Sequence, residues 1–126
     1  MKEVMAIIRM NMMNKTKQAL SEADISSFSA TGRVMGRGKG KVDIQLLQGV
    51  EEGYDEAISQ LGKGSRLLPK RLIMVTVPDP LVEKVVQTII ETNQTGQPGD
   101  GKIFVLPVLD AVRVRTGESG DGVLDE

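Results

Sequence analysis

Residues 70–77 (KRLIMVTV), 78–80 (PDP) and 81–90 (LVEKVVQTII) read in direct succession as strand, turn and helix. The first run is β-branched and apolar. In the turn, Asp79 is placed to cap a helix whose first position is Pro80. Leu81, Val82, Val85, Val86, Ile89 and Ile90 then recur along one helical face. The same alternation extends upstream. Residues 3–9 (EVMAIIR) are a short apolar run with charged ends, a buried strand. Residues 14–23 (NKTKQALSEA) form an amphipathic helix, with Asn14 as its cap and Ala19, Leu20 and Ala23 on one face. In residues 27–35 (SFSATGRVM), Phe28, Ala30 and Val34 alternate with Ser27, Ser29, Thr31 and Arg33, as in a half-buried strand. Downstream, residues 94–101 (QTGQPGDG) form a tight loop before a strand at Lys102–Val108. Ala111–Arg115 reads as a fifth short strand with Arg113 and Arg115 on the same face.

The order is βαββαβ plus a short extra C-terminal strand. It predicts an α+β fold, a ferredoxin-like sandwich with a four-stranded antiparallel sheet and two helices on one face. The other face would expose Ile, Val and Met, so an oligomer that covers it is expected. One domain accommodates the 126 residues. Its expected limits are 1–117, with residues 118–126 an acidic tail prone to fray.

Composition removes whole classes of chemistry. With no Cys and no His, thiolate nucleophiles, Cys/His zinc sites, Ser–His catalysis and phosphohistidine intermediates are unavailable. The net charge of −1 and only three aromatic residues, Phe28, Tyr54 and Phe104, argue against nucleic acid as a partner. No stretch approaches the ~20 apolar residues of a membrane span, and no signal peptide is visible. A cytoplasmic chain without catalytic residues or a metal site is expected.

What remains is glycine beside cations. Residues 36–41 (GRGKGK) alternate Gly36, Gly38 and Gly40 with Arg37, Lys39 and Lys41. Gly96, Gly99 and Gly101 surround Asp100 and precede Lys102. Arg113 and Arg115 stand before Thr116 and Gly117. Glycines let backbone N–H groups converge on an anion, and Lys and Arg supply charge. Each cluster alone has a plainer reading: a solvated loop, a helix–strand connection with a Schellman-type stop, an exposed sheet face. Three together, at strand ends, can converge on a polyphosphate. The spacing is not that of a Walker loop. From Gly36 to Leu68 no periodicity survives, and an irregular stretch of about 30 residues in a small domain is usually functional or disordered.

Residues 95–105 (TGQPGDGKIFV) resemble the B-loop signature of the PII nitrogen-signalling proteins, and residues 113–118 (RVRTGE) resemble their C-loop. The first strand, residues 68–70 (LPK) and 77–79 (VPD) match in place. The resemblance covers residues 1–41 and 68–118. It implies a trimer with ATP or ADP in each cleft between subunits, and 2-oxoglutarate sensing. It implies a long T-loop, about residues 37–68, that reaches a target protein. Gly99, Asp100, Gly101 and Lys102 would then cradle phosphates. Arg113 and Arg115 would reach the nucleotide across the interface. Ile7, Ser29 and Thr76 would bed the adenine. Gly38 and Lys39 would form the base of the T-loop, and Lys70 would pair with 2-oxoglutarate.

Three departures stand out. The T-loop is longer than usual and lacks a tyrosine in the register that uridylylating enzymes modify. Gly40 replaces a Gln that helps bind Mg²⁺ and 2-oxoglutarate. Met10 replaces a frequent proline. The GRGK spelling and enlarged loop most resemble the longer of two PII-like paralogues encoded with nitrogenase in methanogenic archaea. That implies regulation of nitrogen fixation through the dinitrogenase component, as a homotrimer or as a hetero-oligomer with the second paralogue. The rival expectations are a regulator of an ammonium channel or assimilation enzyme, and a weak ATPase.

Overall fold

β1 (Lys2–Ile8) lies between β3 (Leu68–Val77) and β4 (Lys102–Pro107), and β2 (Ser29–Gly36) closes the far edge. The computed structural model describes residues 1–36 and 67–124. The sheet order is β2-β3-β1-β4 and every pairing is antiparallel. The register puts Met5 opposite both Met74 and Phe104, and Ile7 opposite both Leu72 and Lys102. Alternation decides the faces. Val4, Ala6 and Ile8 of β1 and Ile73, Val75 and Val77 of β3 are buried. Because side chains alternate with period two, these six share one side of the sheet.

Two helices cover that side, α1 (Met13–Glu22) and α2 (Val82–Asn93). Met13, Leu20, Val85 and Ile89 complete the core with the strand residues. A polar pin joins the helices: Asn93 donates to the Thr16 hydroxyl at 3.1 Å and to the Ile89 carbonyl at 2.9 Å. The opposite face carries Met5, Ile7, Leu72 and Met74, all half-buried, with Phe104 and Leu106 exposed. The ferredoxin-like α+β sandwich expected from the sequence is the fold observed.

Several local expectations give way. α1 starts at Met13, after a 3₁₀ turn over Met10–Met12, so Asn14 falls inside the helix and Met12 occupies the cap. α1 ends in a Schellman motif: Ile25 N–H donates to Leu20 C=O at 2.9 Å and Asp24 N–H to Ser21 C=O at 3.1 Å. Asp24, with φ of 62°, takes the place glycine usually fills. The stop expected after α2 is instead an extended Gln94. Asp79 does not cap α2; its carboxylate pairs with the Met1 amino group at 3.1 Å and with Lys2 at 2.9 Å.

The alternation expected across β2 breaks at a bulge between Ala30, opposite Ile73, and Arg33, opposite Arg71. The extra residue turns Val34 to the face of Lys70 and away from the side of Ala30. β3 begins two residues early, at Leu68. The expected fifth strand is reduced to a single bridge, Val112 to Ser119. Within the stretch expected to be a loose tail, Asp121–Val123 form a 3₁₀ turn and Val123 is buried. The long loop, with Val42–Leu47, lies outside the described residues.

Candidate functional site

The loop joining α2 to β4 is built around one carboxylate. Asp100 accepts from the Thr95 amide at 2.8 Å, the Gly96 amide at 3.0 Å, the Thr95 hydroxyl at 2.5 Å and Arg9 Nη1 at 2.6 Å. Burial opposes its charge. The Thr95 hydroxyl, the Thr95 amide, Arg9 and the Gly96 amide overcome that penalty and hold the carboxyl well below the usual range. Asp100 is therefore an internal acceptor. It stays ionised and braces the loop.

Two cations tie the same loop to the sheet. Arg9 Nη2 donates to Pro98 C=O at 3.2 Å and Lys70 Nζ to Gly99 C=O at 3.0 Å. Lys70 is nearly buried. Burial first, then the Arg9 charge, lowers its pKa, against an opposing pull from Asp100. Gly101 has φ of 118°, and a Cβ on it would lie 2.1 Å from Ile7 C=O. Only glycine lets this loop close onto β1. Lys102 follows, exposed, at the start of β4. Ile7, Lys70, Gly99, Asp100, Gly101 and Lys102 thus gather at one end of the sheet.

Ser29, Thr76 and Arg113 gather elsewhere. They line an open cleft of about 470 Å³ with Phe28, Val123 and Leu124 among its other walls. A hairpin positions Arg113: its N–H donates to Glu118 C=O at 2.8 Å, and Gly117 N–H donates to Arg113 C=O at 2.7 Å. Its guanidinium reaches the Glu118 carboxylate at 3.3 Å and Gly122 C=O at 3.4 Å. Arg115 sits exposed in the hairpin turn, apart from the residues lining the cleft.

The two groups are well separated within one chain. Ser29 is on β2 and Lys102 on β4, opposite edges of the sheet. Three strand spacings place them about 14 Å apart across the sheet. Within one chain, Ile7 lies beside the loop and apart from Ser29 and Thr76. Gly38, Lys39 and Gly40 lie outside the described residues. Thr95 opens the glycine motif read from the sequence, without a role of its own; Arg9 carries no sequence signal beyond following an apolar run.

Fold and loop together define a small α+β domain with a braced, glycine-rich loop and a separate side-chain cleft. A family model described as nitrogen regulatory protein P-II matches residues 1–118, and the chain belongs to that family of regulatory signal transducers. A protein of Methanothermobacter marburgensis named nitrogen fixation nifHD region GlnB-like protein 2 is 46% identical, over 98% of this chain and all of its own length. Nitrogen regulatory protein P-II 1 of Escherichia coli is 39% identical over 98% of this chain and all of its own length. Among solved structures, Arabidopsis thaliana PII bound to citrate superposes with a TM-score of 0.71 at 31% identity, covering 99% of this chain and 90% of that one.

Proposed function

We propose that this chain is a cytoplasmic, non-enzymatic P-II sensor of ATP or ADP and of 2-oxoglutarate. It regulates nitrogen fixation by docking its long loop, about residues 37–68, on the dinitrogenase component of nitrogenase. The observation that carries the reading is the separation of the two half-sites. The loop of Gly99 to Lys102 leads into the edge strand β4, whereas the cleft holds Ser29 of the far edge strand β2, Thr76 of the neighbouring β3, and Arg113. In a ring of subunits, the loop of one meets the cleft of the next. The nucleotide then lies between them, phosphates on the loop and adenine in the cleft. A trimer, alone or with a second P-II paralogue, also covers the exposed Phe104 and Leu106. The names of the archaeal relatives favour nitrogen fixation as the regulated process.

Among the described residues, no group of carboxylates fits a protein-held Mg²⁺. Asp100 commits both carboxylate oxygens within the loop, and residue 40 is a glycine without a ligating side chain. For 2-oxoglutarate, Lys70 and Lys39 are the carboxylate partners in this reading. Lys70 would have to leave the Gly99 carbonyl to serve.

The test is calorimetric titration of the purified chain with ATP and ADP, with and without 2-oxoglutarate, followed by capture of dinitrogenase and of an ammonium channel on immobilised protein. Binding of nucleotide, and capture of dinitrogenase that ATP with 2-oxoglutarate reverses, is the expected result. Capture of the channel alone would favour a regulator of ammonium uptake instead.

A further inference from the structure

Arg9 and Asp100 act as one unit, and through it we propose that Arg9 is a positioning residue for the phosphate loop. The inference rests on the nucleotide reading above. The geometry begins with the peptide planes. Across a trans-planar peptide, the N–H points opposite to the preceding C=O. Pro98 C=O faces Arg9 at 3.2 Å, so the Gly99 N–H points away from Arg9. Gly99 C=O faces Lys70 at 3.0 Å, so the Asp100 N–H points away from Lys70. Both cations lie on the sheet side of the loop, and both amides are turned to its outer side. Gly99, with φ of 99°, and Gly101, with φ of 118°, permit the successive turns. The result is a concave run of backbone donors of the kind that holds anions.

Arg9 is the part of this device that can be removed without touching the ligand. One guanidinium makes two contacts: Nη2 fixes the Pro98 carbonyl and Nη1 fixes the Asp100 carboxylate. That carboxylate in turn holds the amides of Thr95 and Gly96. Both ends of the loop are thereby referred to the end of β1, where Arg9 follows Ile8. The fork geometry of Arg suits this double role, and a lysine supplies charge but not the fork.

The experiment is a double-mutant cycle on the full chain, with ATP as the probe. Arg9→Ala and Asp100→Asn are each expected to weaken ATP about tenfold, the loss of one well-oriented donor to phosphate. The double variant should be no weaker than the weaker single one, since both break the same unit. Arg9→Lys should recover part of the loss. The amide signals of Gly99 and Asp100 in a ¹⁵N spectrum should move in ligand-free Arg9→Ala, a readout independent of nucleotide binding. Lys102→Ala is run beside them. If Lys102→Ala binds ATP normally, the nucleotide reading is at fault, and the amide shifts still decide the role of Arg9. Wild-type ATP affinity in Arg9→Ala, losses that add in the double variant, or unmoved amide signals would each overturn the proposal.

Discussion

Replacing Gly101 by alanine attacks a place where the glycine loop before β4 meets β1 backbone to backbone. The added Cβ would lie 2.1 Å from the Ile7 carbonyl oxygen, 3.2 Å from its carbon and 3.3 Å from the Ile8 Cα. All three are backbone atoms of a central strand, so none can swing aside. The φ of 118° adds strain of about 1–3 kcal/mol for any residue with a Cβ. Moving the loop off β1 adds more, and a total of about 3 kcal/mol is expected. At roughly 4 °C per kcal/mol for a chain of this size, the melting temperature falls by about 12 °C. Two controls grade the effect. Gly96, with φ of 80° and nothing within 4 Å of its Cβ position, should lose only about 1–2 kcal/mol on substitution by alanine. Gly32, with open space and no positive φ, should lose nothing measurable. The assay is thermal unfolding of the three variants at one chain concentration, followed by ATP titration. Equal melting temperatures for Gly101→Ala and Gly96→Ala would refute the close approach to Ile7.

Two further outcomes follow from the buried polar contacts. Thr16→Val leaves the Asn93 amide with the Ile89 carbonyl alone, and should cost about 1–2 kcal/mol in urea unfolding without changing ATP affinity. Asp100 has a folded pKa below its unfolded value, so its contribution is present above the unfolded pKa and is lost as pH falls below about 4. Wild-type stability should therefore drop more steeply than that of Asp100→Asn in acid, read by denaturation between neutral pH and pH 3.

The strands and helices of the core were legible because each carries its own period. Val4, Ala6 and Ile8 alternate in β1, and Val85 and Ile89 repeat in α2. β2 departs from simple alternation because a bulge changes its period between Ala30 and Arg33; Gly32, a glycine inside the strand, is the local signal of it. The caps failed for a different reason. Asp79 has the right chemistry for a cap, but Lys2 and the Met1 amino group, distant in sequence, claim its carboxylate. The glycine loop was legible as a motif. Its internal wiring was not, because Arg9 lies 91 residues from Asp100 and a charge after a strand reads equally well as a solvated end. The separation of Ile7 from Ser29 and Thr76 depends on strand order, which no local pattern encodes.

The central claim is that each nucleotide site is completed by two subunits, and subunit mixing tests it most directly. Lys102→Ala and Arg113→Ala are each expected to weaken ATP by one to two decades, the loss of a charge-assisted contact to phosphate. When the two variants are unfolded together, refolded and titrated, some clefts in mixed rings pair an intact Lys102 loop with an intact Arg113 cleft. The account predicts that a fraction of sites then recovers wild-type ATP affinity, which neither variant shows alone. If the co-refolded mixture binds ATP no better than the two variants measured separately, the halves do not meet between subunits and the account is contradicted.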